Sequence, residues 1–379
     1  MAPRMEPEAR MEPNKRKGPT LTLIVVIVAT LGGLSAIDVF LARMEASELA
    51  SEARHYYDQG SRLLDQGRAL DAVNVLGKAH ATERNNPAYE VELAQALISA
   101  GKIDEAETLL EDLLERAPND GDANLLEARL MAQQHQTGQA VAYYHRAIYG
   151  LWRANSEARR IATRLELAQF LASRGDTTDL LAELLPLESE VRKDTGTLQQ
   201  VAKLYLRAGS PARAEITYRA LIKENPHDHP EDAGNYAGLG DAELAQGNYR
   251  NAEAAYRSAA RLNDGSQFEQ RLQFAETMAA LDPTVRWLSS TEKYRRSMRI
   301  LQLARDTLNR CAQSDEAKGL MADTDKVLAE KIRGPMNNEL AEDRLALAGQ
   351  LWETRLTSCG PSTSPGEESL RLVMAKLAQ

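Results

Sequence analysis

Aromatic residues are scarce in this sequence: Phe, Trp and Tyr together make up 5% of it. Alanine and leucine dominate instead, and 27% of the residues are charged, a balance that suits helices better than sheets. Cysteine is rarer still, with only Cys311 and Cys359, far apart and without CxxC spacing, which excludes a zinc site of the usual kind. Glycine never gathers into a phosphate-cradling loop of the P-loop or dinucleotide type, and no GxSxG elbow occurs. Excess positive charge is missing as well. The net charge is -9, so nucleic acid is not an expected partner, because phosphate binding needs a basic face.

Those absences leave little for catalysis to use. Carboxylates are many but scattered over solvent faces, and pairing two of them as acid and base would be arbitrary. His227 and His229, with Asp228, Glu231 and Asp232, stand in a polar stretch that reads as a solvated loop before it reads as a metal site. His55, His80, His135 and His145 are isolated and read as packing or surface residues. No enzyme activity, small-molecule substrate, metal or cofactor is expected.

One long apolar run is present. Thr20 to Ile37 carries no charge, and Val39 to Ala42 extends it past Asp38. A hydrocarbon core needs about 20 such residues in a helix, so residues 19–42 are expected to form a single transmembrane anchor. A cleaved signal peptide is the competing reading, although Leu34 before Ala36 fits a cleavage site poorly. Arg10, Lys15, Arg16 and Lys17 crowd the amino side, while Arg43 is accompanied by Glu45, Glu48 and Glu52 on the other. That bias holds residues 1–18, read as a disordered tail, in the cytoplasm. Everything after the anchor is then periplasmic or otherwise extracytoplasmic, bound to the cytoplasmic (inner) membrane by one pass.

Beyond the anchor the sequence repeats. Gly67, Gly101, Gly175, Gly209 and Gly247 recur as breakers, with His135 in register at the missing step. A small residue follows each: Ala72, Ala106, Ala140, Ala214 and Ala252, with Leu180 in its place in the fourth unit. Four residues later stand Leu76, Leu110, Tyr144, Leu184, Tyr218 and Tyr256. Steps along the small-residue series are 34, 34, 40, 34 and 38 residues, so two steps carry insertions. Pro118 and Pro226 stand where one unit turns into the next.

The clearest copy is YAGLGDAELAQGNYRNAEAAYRSA, Tyr236 to Ala259. Gly240, Ala252 and Ala259 let two helices approach, and Tyr236, Leu239 and Tyr256 fill the space around them. This pattern resembles the tetratricopeptide repeat (TPR), two helices with a period of roughly 34 residues. The resemblance implies an all-α, TPR-type α-solenoid, a right-handed superhelix of helical hairpins. About six units, with a short stalk, would occupy residues 43–264.

Residues 265–379 leave the repeat pattern and read as a helical cap or bundle. Gln267 to Leu281 looks like one more first helix, sealing the stack. Asp282-Pro283 reads as the start of a helix running to about Cys311. Further helices are expected over about 315–333 and 337–357, and a capping box from Ser364 to Glu367 starts a last short one. Three antiparallel helices bring Cys311 and Cys359 to the same end of the bundle, so a disulfide is feasible; two free thiols in a cytosolic protein is the other reading.

The family resemblance also implies a concave groove, lined by first helices, that holds a peptide segment or domain of another protein. Register places Tyr57, Ser61, Gln95, Leu125, Arg129, Gln169, Gln199, Lys203 and Asp241 there. Members that hold chaperone carboxyl termini use a Lys, Asn and Arg clamp, and Tyr57 and Ser61 stand in place of its Lys and Asn. The expectation is a membrane-anchored scaffold or adaptor serving envelope assembly, secretion or a membrane complex. A permanent structural subunit of a larger assembly is the alternative.

Overall fold

The computed structural model describes residues 18–224, 232–262, 266–311, 314–331, 334–360 and 367–378. The amino-terminal tail, Pro226, His227, Asp228, His229, Glu231 and the Ser364 end of the expected capping box lie outside them. Among the described residues there are seventeen helices and no strand. The chain divides into two compact units, Met1–Arg160 and Ile161–Gln379.

The first unit begins with α1 (Gly18–Asp65), a 48-residue helix and so about 72 Å long. The stretches expected to be anchor and stalk and the first helix of the first hairpin are therefore one uninterrupted element. Its partner is α2 (Ala69–Thr82), and two more hairpins follow: α3 (Pro87–Ser99) with α4 (Ile103–Arg116), and α5 (Gly121–Gln133) with α6 (Thr137–Ile148).

Each hairpin closes through one residue in the left-handed region. Gly67, Gly101, Gly175, Gly209 and Gly247 have φ between +68° and +75°, and His135 takes the same conformation at +61°. At Gly101 the geometry is that of a Schellman cap: its N–H donates to the Ile98 carbonyl at 3.0 Å and the Lys102 N–H donates to the Leu97 carbonyl at 2.9 Å. The expected breakers, His135 included, are thus equivalent bends.

A second regularity fixes the helix pairs. Sixteen residues before each large residue of a second helix stands a small one on the first helix: Gly60, Ala94, Ala128, Ala168, Ala202 and Gly240. All six are buried. A Cβ on Gly60 would lie 2.4 Å from Leu76 Cγ, and one on Gly240 would lie 2.7 Å from the Tyr256 ring. Gly238 plays the corresponding part toward Tyr218 of the preceding hairpin, where an added Cβ would meet the ring at 2.2 Å.

The six-residue insertion after α6 folds back onto the start of α5. Leu151 donates its N–H to the Asn119 carbonyl at 2.7 Å and accepts from the Gly121 N–H at 2.9 Å. Trp152 covers Gly121, and Arg153 reaches Asp120 and, at 2.8 Å, Asp122.

The second unit contains most of α7 (Ser156–Arg174), paired with α8 (Thr177–Glu190). After them come α9 (Thr195–Arg207) with α10 (Pro211–Glu224), α11 (Ala233–Ala245) with α12 (Tyr249–Leu262), and α13 (Ser266–Leu281). The irregular fourth hairpin forms despite Leu180, which is buried at 1% exposure. Buried Arg164 of α7 helps hold it, 3.1 Å from Glu190 and 3.6 Å from Glu183 on α8.

The cap comprises α14 (Ser290–Asn309), α15 (Asp315–Ala329), α16 (Asn338–Cys359) and α17 (Glu368–Leu377). It shares one apolar core with the last hairpin and α13, joining Tyr249, Met278 and Leu281 to Ile300, Leu301, Leu351, Val373 and Met374. A disulfide links Cys311 and Cys359, whose Cα atoms are 6.1 Å apart.

The cap's first helix departs from expectation. It starts at Ser290, capped by Ser289, whose hydroxyl accepts from the Glu292 N–H at 3.2 Å, and not at Asp282-Pro283. The Asp282 carboxylate instead accepts from the Thr284 N–H and hydroxyl, at 2.9 and 2.7 Å, which turns the chain locally. Arg296 then ties the bend down, donating to the carbonyls of Ala279 and Asp282 at 2.7 Å each.

Candidate functional site

First helices carry the residues that register assigned to the groove, and each unit presents its own set. In the first unit Tyr57 and Ser61 project from α1, Gln95 from α3 and Arg129 from α5. Ser61 donates to Glu92 at 2.8 Å, so its hydroxyl is engaged by the next hairpin. Tyr57 is half-buried with its ring 5.1 Å from that of Tyr89, and burial pushes its hydroxyl above the ordinary tyrosine range. Gln95 and Arg129 are exposed. Leu125 departs from expectation: at 6% exposure it is buried within the hairpins, because α5 turns that position inward.

The second unit holds a distinct cleft of about 1010 Å³. Its floor is made of small residues on α11, Ala233, Gly234, Ala237 and Gly238, with Tyr218 beneath them. Gln169 of α7 and Gln200, Lys203 and Arg207 of α9 form one wall, and Gln267, Phe268 and Arg271 of α13 the other. Gln169 donates to Gln200 at 3.2 Å across the gap between their helices. Asp241 lies at the floor's edge, accepting from the Tyr256 hydroxyl at 2.6 Å and from Arg271 at 3.1 Å. Burial first, then the Asp241 charge and that bond, push the Tyr256 hydroxyl far above the usual tyrosine range.

Of the residues expected in this half, Gln169, Lys203 and Asp241 are brought together in the cleft. Gln199 is not. It is half-buried and donates to Asn235 at 3.0 Å, so it braces α9 against α11. Its neighbour Gln200 occupies the wall instead. Arg207, one helical turn beyond Lys203 on α9, joins it in the wall although register did not assign it there. Gln267 and Arg271 were missed because α13 was expected to seal the stack, whereas its near face also lines the cleft.

The chemistry available is that of holding, with amides, cations and a backbone-wide floor. Lys203 and Arg207 are exposed, and neither forms an ion pair among the described residues.

Two stretches, residues 63–130 and 202–266, match the tetratricopeptide repeat. Solved structures of similar fold include a tetratricopeptide repeat protein from Parabacteroides merdae, 19% identical over 59% of this chain and 84% of that one, with a TM-score of 0.35. Another is pilF of Pseudomonas aeruginosa, 13% identical over 60% of this chain and 98% of that one, TM-score 0.42. A third is the C-terminal part of a TPR repeat-containing protein from Cytophaga hutchinsonii, 12% identical over 83% and 99%, TM-score 0.42. No curated protein matches the sequence.

Proposed function

The chain is a tetratricopeptide-repeat protein, and from that premise we propose a membrane-anchored scaffold that holds partner proteins outside the cytoplasmic membrane. Tetratricopeptide repeats are protein-interaction scaffolds, so the coarse role follows from the repeats; the membrane and the compartment are the proposal.

One observation carries it. Leu23, Ile24, Val25, Val26, Ile27, Val28, Leu31, Leu34, Ile37, Phe40 and Leu41 are each about half exposed or more, on the part of α1 that nothing among the described residues covers. Apolar surface on that scale is stable only when something else takes it out of water. A bilayer matches its length, and the Lys15-Arg16-Lys17 flank in the sequence supports a cytoplasmic amino end. Because α1 continues unbroken into the first hairpin, the anchor would fix that hairpin's distance from the bilayer.

The partner-facing surfaces would be Tyr57, Ser61, Gln95 and Arg129 in the first unit and the cleft around Gln169, Lys203 and Asp241 in the second. A rigid surface of this kind loses little entropy when a segment docks. Photo-cross-linkers placed at Gln95 and at Lys203 of the full chain in membranes test the reading. Capture of the same partner proteins from these positions, and not from Lys326 in the cap, is the expected result. Release of the intact chain by carbonate washing, or cleavage of its carboxyl-terminal half by protease added on the cytoplasmic side, would overturn the anchor and its direction.

A further inference from the structure

The cleft of the second unit is basic, whereas the chain as a whole is acidic. The whole chain has a net charge of -9, yet the lining of this cleft holds three cations, Lys203, Arg207 and Arg271, against one carboxylate, Asp241. Asp241 is already taken by Arg271 and Tyr256. Lys203 and Arg207, one turn apart on α9, are therefore left as like charges side by side, an arrangement that costs a few tenths of a kcal/mol in an isolated helix.

The remaining lining favours an extended segment. Gln169, Gln200 and Gln267 offer paired amide donors and acceptors, which suit the N–H and C=O groups of an extended backbone. Gly234, Ala237 and Gly238 give a floor with almost no side chain, so another chain can lie close to α11. Gly238 is held small by Tyr218 beneath it. Apart from Tyr218 of α10, the lining comes from four successive first helices, α7, α9, α11 and α13. At 8–10 Å between neighbouring axes they span about 24–30 Å, the length of roughly seven to nine extended residues.

We infer that this cleft takes an acidic, extended segment of a partner protein, with carboxylates set against Lys203 and Arg207. The inference rests on the scaffold reading and narrows it, by giving the partner a charge and a conformation. An acidic segment would be repelled by most of this protein's surface and steered to one place on it.

Fluorescence anisotropy with the full chain in detergent micelles tests it. The probes are a fluorescein-labelled nonapeptide of alternating Glu and Ala, the same peptide with Gln for Glu, and an oligothymidylate of equal charge. The Glu peptide should bind about tenfold or more tighter than the Gln peptide, and more weakly as salt rises. Lys203→Glu with Arg207→Glu should abolish that preference, Lys203→Gln with Arg207→Gln should halve it or more, and Lys193→Glu, exposed on the loop before α9, should leave it intact. Each variant is checked by its helical melting curve. Equal binding of the Gln peptide, indifference to the α9 substitutions, or equal binding of the oligothymidylate would overturn the inference. If a cross-linker at Lys203 captures a partner through a segment without acidic residues, the scaffold reading survives and this inference does not.

Discussion

Lys376 Nζ lies 2.7 Å from Asp282 Oδ2 and 2.7 Å from the carbonyl oxygen of Gly247, with its ammonium 4.9 Å from the centre of the Tyr249 ring. One side chain from the last helix thus joins the turn of the last hairpin to the bend that opens the cap. The Asp282 side chain is only 5% exposed, so removing its counter-ion leaves a buried charge. Lys376→Met should therefore lower stability by about 2–4 kcal/mol. Lys376→Met with Asp282→Asn should recover much of that loss, as urea melts of the four proteins in a double-mutant cycle would register. Additive losses would mean the two residues act separately.

Gly240 faces the Tyr256 ring with no room for a methyl group. Gly→Ala in a helix interior ordinarily stabilises by about 1 kcal/mol, through propensity alone. Here overpacking should reverse the sign, and Gly240→Ala should destabilise by about 1–3 kcal/mol. Gly319 on α15, where an added Cβ meets nothing within 4 Å, is the control, and Gly319→Ala should stabilise. A thermal melt of each variant against the parent reads both signs.

His135 occupies a left-handed bend, φ +61°, that every other hairpin gives to glycine. An L side chain there costs roughly 1 kcal/mol, so His135→Gly should raise stability by about 0.5–1 kcal/mol. Gly101→His in the preceding hairpin should lower it by a similar amount. A His135→Gly chain that melts no higher than the parent would show that the imidazole makes a compensating contact.

The bends and the helix pairs were legible because both depend on residue size at fixed spacing. Gly67 through Gly247 are demanded by backbone sterics, and even His135 announced itself through register alone. The cap was less legible. Asp282-Pro283 satisfies the local grammar of a helix start, but Thr284 and Arg296 capture the Asp282 side chain and carbonyl and delay the helix to Ser290. Leu125 and Gln199 were misplaced for another reason: register gives the helix, and only the packing of neighbouring helices decides which of two adjacent faces is covered. The two cations of the cleft differ in the same way. Lys203 was found by register, whereas Arg207 becomes visible only once α11 and α13 enclose the space beside it.

Cys311 and Cys359 close a loop with a sequence separation of 48. In the chain-entropy model that closure is worth about 4 kcal/mol to the cap. Cys311→Ser with Cys359→Ser should lower the cap's unfolding midpoint accordingly, and reduction of the parent should reproduce the same shift. Intact-mass measurement after alkylation without reductant should find neither thiol modified. Two alkylated cysteines would remove the bridge, and with it the support that the bridge lends to an oxidising compartment.

Glu127 stands on α5 where four of the other five hairpins place Leu93, Leu167, Val201 or Leu239, one residue before the small position. It is 4% exposed, and its Oε2 has no hydrogen-bond partner among the described residues. Burial, with Glu107 and Glu111 of α4 adding like charge, pushes its carboxyl up to about 7. An unfolded chain releases this proton near pH 4.5, so between about 4.5 and 7 the folded state binds more protons than the unfolded one. Stability from this group is therefore complete below pH 4.5 and is lost as pH rises through 7. Glu127→Gln should remove that slope and leave the protein more stable than the parent at pH 8 by about 1–3 kcal/mol, with little difference at pH 4.5. Glu107→Gln should move the parent's transition to lower pH by relieving repulsion. Urea melts at half-unit intervals from pH 4.5 to 8 decide the matter: parallel curves for the parent and Glu127→Gln would mean that the carboxylate has found a partner or water.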